Sequence, residues 1–207
     1  MAINKKSFFD YVRGHLFDGS LKPSQVEGLT AILNRWEGFM AAADDRWLAY
    51  ILATAHHETG RTMQPVRETF AATDDAAIKI LEKAYKAGKL AWVKHPPYWR
   101  RDADGKSWLG RGLVQLTHKF NYERMSTATG VDLVARPELA MDLATSVEII
   151  FHGMVHGSFT GKKLVDYFAG ANQNWEDARR IINGNDKKQL VASYGREYYA
   201  AISYTTG

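Results

Sequence analysis

Apolar residues recur at helical spacing through most of this chain, and strand-like alternation is nearly absent. Phe8, Phe9, Val12, Leu16 and Phe17 predict a helix over 7–17, ended by Asp18–Gly19. Ser24 and Glu27 have capping-box spacing, and Val26, Leu29, Ile32, Leu33 and Trp36 carry that helix to Gly38. Asp44 or Asp45 can cap a helix over 46–58, where Leu48, Ile51, Leu52 and Ala55 form one stripe and Gly60 follows as the stop. Pro65 and mixed polarity make 61–73 a loop. Thr73–Asp74 opens a helix that buries Ile78, Ile80, Leu81 and Tyr85 and closes at Gly88. Residues 94–112, with two prolines and three glycines, read as an ordered loop or short hairpin, and 113–117 as one short strand. Helices follow at about 119–129, 138–156, 162–169, 174–183 and 186–204. The pattern predicts a mainly α fold, one domain over 1–207 with a smaller lobe at about 68–110 above a cleft, and no separate wall-binding module.

The same pattern puts Glu58 on the apolar stripe, three residues after Ala55 and seven after Ile51. Desolvation disfavours a charged carboxylate, so burial there would raise its pKa towards the range of a general acid. A slight rotation of the helix would instead leave it in solvent.

Composition narrows the function classes. With 207 residues, 45% hydrophobic and 24% charged, the balance is that of an ordinary globular protein. The net charge of +4 is scattered in short pairs, which suits a polyanionic partner but supplies no nucleic-acid arm. There are no cysteines, which excludes disulfides, thiolate metal sites and a cysteine nucleophile. The N-terminal stretch is interrupted by Asp10 and Arg13, so it is not read as a signal peptide, and no apolar run is long enough for stable membrane insertion.

His56 and His57 fail the metal spacing, because Gly60 and Arg61 stand four residues on, and no metal or cofactor is expected. One histidine is expected to orient or polarise Glu58, the other to pack. Asp102-x-Asp104-Gly105 lacks the later ligands of a calcium loop and reads as a turn. Gly110-Arg111-Gly112 marks either a tight turn or a backbone approached by a ligand. Gln115, Thr117 and Asn121 are equally caps or ligand contacts. Glu58 and Glu68 have the makings of a glycosidase pair, one donating a proton and one activating water.

Three segments in order, AHHETGR (55–61), WLGRGLVQLTHKFNY (108–122) and RRIINGN (179–185), resemble the signature stretches of family 19 glycoside hydrolases, which include chitinases and many phage endolysins. Without cysteines, signal peptide or chitin-binding module, the chain looks most like a phage endolysin of that family. The resemblance implies a lysozyme-like helical fold with a cleft between two lobes, and inverting hydrolysis of a β-1,4 bond beside an N-acetylated sugar. It makes Glu58 the general acid and Glu68 the general base, with Glu82 as the alternative, while Thr117 helps hold the attacking water. Sugar contacts are implied for His57, Gln115, Asn121, Tyr122, Arg180 and Asn183. Trp99 and Trp108 would suit sugar stacking, or else belong to the core. The expected partner is the glycan of peptidoglycan, with no nucleic acid, bound by a monomer made in the host bacterial cytoplasm and acting on the wall after release. Competing readings are a chitinase, a lytic transglycosylase and a non-catalytic wall-binding module.

Overall fold

The structure, a computed structural model, describes residues 3–203. It contains seven α-helices, four two-residue strands and short 3-10 turns among the described residues, so the mainly α expectation holds. The chain divides into two compact units, 1–64 with 150–207, and 65–149. No helix among the described residues is long and apolar enough to cross a membrane.

The first unit is built around a helix buried on every side. α1 (Lys5–Leu16) starts at Asn4, whose side chain accepts the Ser7 N–H. α2 (Pro23–Phe39) begins earlier than the Ser24–Glu27 spacing suggests, because Pro23 is preorganised for a first helical turn. Gln25, not Glu27, reaches back to cap, accepting the Lys22 N–H at 2.8 Å. α3 (Asp45–Glu58) is capped by Asp44, and all nine residues from Leu48 to His56 are buried. The apolar stripe is therefore a full apolar circumference, as expected of a central helix.

The last helix, α7 (Lys188–Ser203), lies along α3, and α1 and α2 pack on this pair. Gly195 makes room on α7: a Cβ there would come within 2.8 Å of the Trp175 ring and 3.4 Å of Tyr50 on α3. Helices expected at 162–169 and 174–183 are instead 3-10 turns at Leu164–Asp166 and Asp177–Ile181, with a small hairpin, β3 (Phe168–Ala169) and β4 (Asn172–Gln173), between them.

In the second unit, β1 (Val66–Arg67) pairs antiparallel with β2 (Arg111–Gly112), Val66 opposite Gly112. The strand expected at 113–117 thus lies earlier, with Leu116 bridging back to Arg111. α4 (Asp74–Lys86) is capped by Thr73 and packs Ala77 and Leu81 against Val93, Trp99 and Leu109. Ile80, expected inside, is 48% exposed. α5 (Lys119–Thr129) ends at Gly130 in the left-handed region. The helix expected at 138–156 is a 3-10 turn, Pro137–Met141, followed by α6 (Leu143–His156), which continues into the first unit.

Candidate active site

The sequence-predicted site residues fall into two groups, one in each unit. In the first unit Glu58 is the last residue of α3, with 15% of its side chain exposed. The Arg179 guanidinium, only 2% exposed, donates to its Oε1 at 2.6 Å. Arg179 is fixed in turn by donating to the Asp186 carbonyl at 3.0 Å. The acid is therefore not in a purely apolar pocket, as the stripe alone implied; it is half of a sheltered ion pair. Arg180, the arginine expected to bind sugar, pairs instead with Asp177 and Asn185 and is half exposed. Asn183 is exposed.

The two histidines lie in different surroundings. His56 is the packed one, 1% exposed, with Nδ1 2.9 Å from the Tyr198 hydroxyl and its ring against Tyr194 and Phe17. Burial pushes its pKa down to about 4, so it is neutral at ordinary pH. His57 is half-buried beside Glu58. Desolvation holds it below its ordinary value, although the Glu58 charge works the other way.

The loop after Glu58 is anchored on α2. Thr59 donates to the Ala55 carbonyl and accepts from the Met63 N–H. The Gln25 amide donates to the Arg61 carbonyl, and the Gln64 amide to that of Ser24. Gly28 makes room for this loop, since a Cβ there would lie 1.8 Å from the Met63 carbonyl oxygen.

In the second unit Glu68 follows β1 directly. Its Oε2 accepts the Gly110 N–H at 2.8 Å and its Oε1 the Tyr98 hydroxyl at 2.6 Å. Burial, then the nearby Glu68 charge, push the Tyr98 hydroxyl far above its ordinary pKa, so it stays a donor. Glu68 also returns its own N–H to the Gly110 carbonyl at 2.7 Å.

Gly110 is the hub of this group. A Cβ there would lie 2.6 Å from Gln115 Oε1 and 3.3 Å from both Glu68 Cβ and Thr117 Cγ2. The crowding atoms belong to this chain, and Gly110-Arg111-Gly112 leads into and forms β2, with the turn following at 113–115. Of the two candidate bases, Glu68 is the one gathered with Thr117. Glu82 is engaged on α4 by Arg100, which lowers its pKa, and by the Trp99 indole N–H.

Several residues expected to contact sugar also brace their own unit. The Gln115 amide donates to the Val66 carbonyl, and the Asn121 amide to that of Thr117. Tyr122 is fully buried; it accepts from Arg111 and donates to the Leu109 carbonyl. Trp108 is 6% exposed, packed edge-on against Tyr122 with its indole N–H on Asp102, and Trp99 is fully buried. Tyr122, Trp108 and Trp99 are core residues, not sugar platforms. The Asp102 carboxylate accepts the Asp104 and Lys106 N–H groups, the turn expected there. No group of three His, Asp or Glu side chains among the described residues could hold a metal.

Sequence reasoning missed Arg179, Tyr98 and His118. The His118 ring lies 4.5 Å from that of Tyr98 and within electrostatic reach of Glu68. Burial lowers its pKa. One signal marks the right segments: of eight non-glycine residues with positive φ among those described, six are Arg61, Met63, Thr69, Phe70, Gln115 and His118. Such conformations persist only where the surroundings impose them, and they concentrate at functional sites.

The family model of class I chitinases, glycoside hydrolase family 19, matches residues 26–161. Chitinase 12 of Oryza sativa subsp. japonica is 27% identical over 212 residues, covering 88% of this chain; the chain spans 61% of that relative's length. Basic endochitinase of Vitis vinifera is 31% identical over 96 residues, 40% of this chain and 30% of the relative. Among solved structures, chitinase C from Streptomyces griseus HUT6037 superposes with a TM-score of 0.59 at 20% identity, covering all of this chain and 78% of the other. A bacterial family 19 chitinase gives the same score at 22% identity, covering 98% and 95%. These superpositions carry the fold, and the sequence match carries the membership: the chain belongs to glycoside hydrolase family 19.

Proposed function

We propose that this protein hydrolyses β-1,4 glycosidic bonds of bacterial peptidoglycan with inversion, Glu58 protonating the leaving oxygen and Glu68 activating water. The observation that carries the reading is the contrast between the two carboxylates. Glu58 is sheltered beside Arg179 at a helix end, whereas Glu68 is held by neutral donors next to the Thr117 side chain. A carboxylate whose two oxygens are steadied by a backbone N–H and a tyrosine keeps room for a further hydrogen bond, the one a water nucleophile needs. Thr117 supplies a second hydroxyl for that water.

A second reading, hydrolysis of chitin, is favoured by the relatives themselves, all chitinases by name. In the first reading the protein acts as a monomeric endolysin, on the wall once released from the cytoplasm that makes it. One experiment separates the readings. Purified protein is incubated with peptidoglycan sacculi and, in parallel, with chitin, and the products are identified by mass spectrometry and by NMR of the new anomeric centre. The proposal expects muropeptides with free reducing ends, released first as the α-anomer. Anhydro products would indicate a transglycosylase, turnover of chitin alone the second reading, and binding without turnover a non-catalytic module.

A further inference from the structure

Two adjoining hollows of about 440 and 380 Å³ open on the second unit and share Pro96, Tyr98, His118 and Phe120. The first is completed by Trp92 and Lys94. Trp92 is 72% exposed and Phe120 55% exposed, while the two tryptophans next along the chain are buried. Large aromatic side chains left in solvent on a concave surface mark a ligand site. The hollow also adjoins the catalytic group, because the Tyr98 that lines it donates its hydroxyl to Glu68.

Charge identifies the ligand further. Arg100 and Arg101 of the neighbouring hollow are already paired, with Glu82 and Asp75. Lys119 lies over the Trp108 ring. Lys94 is exposed and has no carboxylate partner among the described residues, and no acidic side chain lines its hollow. The surface thus offers aromatic faces for the C–H side of a sugar ring and one uncompensated cation beside them.

We propose that the hollow lined by Trp92, Lys94 and Phe120 is a binding subsite for a sugar ring whose substituent carries a carboxylate, with Lys94 pairing that carboxylate. Chitin is neutral and presents no such group. Peptidoglycan carries a lactyl ether on every second sugar; its carboxyl is amide-linked to a stem peptide that bears free carboxylates, and removing the peptide frees the lactyl carboxylate itself. The inference rests on the glycan-hydrolase reading and deepens it, since it names the feature by which this site tells the two polymers apart.

The test measures binding with an E58Q background, so that the strands are not consumed, and measures turnover separately with the native chain. The probes are peptidoglycan glycan strands with peptides, the same strands after amidase treatment (lactyl carboxylate only), and a neutral N-acetylglucosamine hexamer. Lys94→Glu should weaken binding to the acidic strands roughly fivefold more than to the hexamer. Loss only on the amidase-treated strands assigns the lactyl carboxylate, loss only on peptide-bearing strands assigns a carboxylate of the peptide, and loss on both means that Lys94 pairs whichever carboxylate the substituent carries. Trp92→Ala should weaken all three. Equal effects of Lys94→Glu on acidic and neutral probes, or no effect of Trp92→Ala, would overturn the subsite. Both side chains are exposed, so circular dichroism should show an unchanged fold. A native chain that binds with this selectivity yet cleaves nothing would sink the hydrolase reading and leave the subsite standing.

Discussion

Glu58 and Glu68 are seated by opposite means. Glu58 depends on a cation supplied by a residue 121 positions further along the chain, on a helix buried all round. Glu68 depends on neutral donors of its own unit, a backbone N–H across a two-residue strand pair and one tyrosine hydroxyl. The first seat is built into the core, so damage to it should reach stability. The second is built from short-range contacts in loops, so damage to it should reach rate before it reaches the fold.

The strongest way to break this comparison is to neutralise each acid in turn. Glu58→Gln and Glu68→Gln should each lower the rate of wall hydrolysis by roughly 10²–10⁴-fold, the worth of a general acid or base. If either variant clears sacculi at the native rate, its residue has no part in the chemistry. Next, Arg179→Met should destabilise the protein by about 3–5 kcal/mol, because it strips one partner from a sheltered pair. A melting temperature left unchanged would show that the Glu58 seat is not structural.

His56 sharpens the same point through pH. Its folded pKa of about 4 lies below the 6.5 of an unfolded chain, so the unfolded state takes up a proton first. Stability should therefore fall as pH drops from 6.5 towards 4, by about 3 kcal/mol in total. His56→Gln should flatten thermal stability across that window; an unaltered slope would mean another group titrates there. The smallest effect should come from Tyr98→Phe. It removes one donor to Glu68 and should cost roughly tenfold in kcat with no measurable change in melting temperature.

The same contrast governs what could be read in advance. Asp45–Glu58, opened by its Asp44 cap, and Lys119–Thr129, closed by Gly130, were legible within a residue or two. Glu58, Glu68 and Thr117 were singled out because the signature segments contain or lie near them. Arg179 was not, because its segment is a 3-10 turn with three residues per turn. Helical periodicity says nothing about which of two adjacent arginines such a turn sends inward. The choice between core and sugar platform for Trp99 and Trp108 stayed open for a related reason. Residues 87–110 have no period, so nothing local distinguishes the buried Trp99 and Trp108 from the exposed Trp92. Tyr98 escaped notice because a hydrogen bond spanning 30 residues leaves no trace in spacing.

The packing of α3 along α7 has a consequence for how the protein comes into being. A ribosome completes α3 about 130 residues before it begins α7. Until that last helix emerges, nine consecutive apolar or core residues of α3 lack their largest covering surface. Partners so distant in sequence also close slowly. Arg179, which steadies Glu58, is synthesised only shortly before that helix. A nascent chain that has not yet reached Arg179 therefore carries Glu58 without a finished seat.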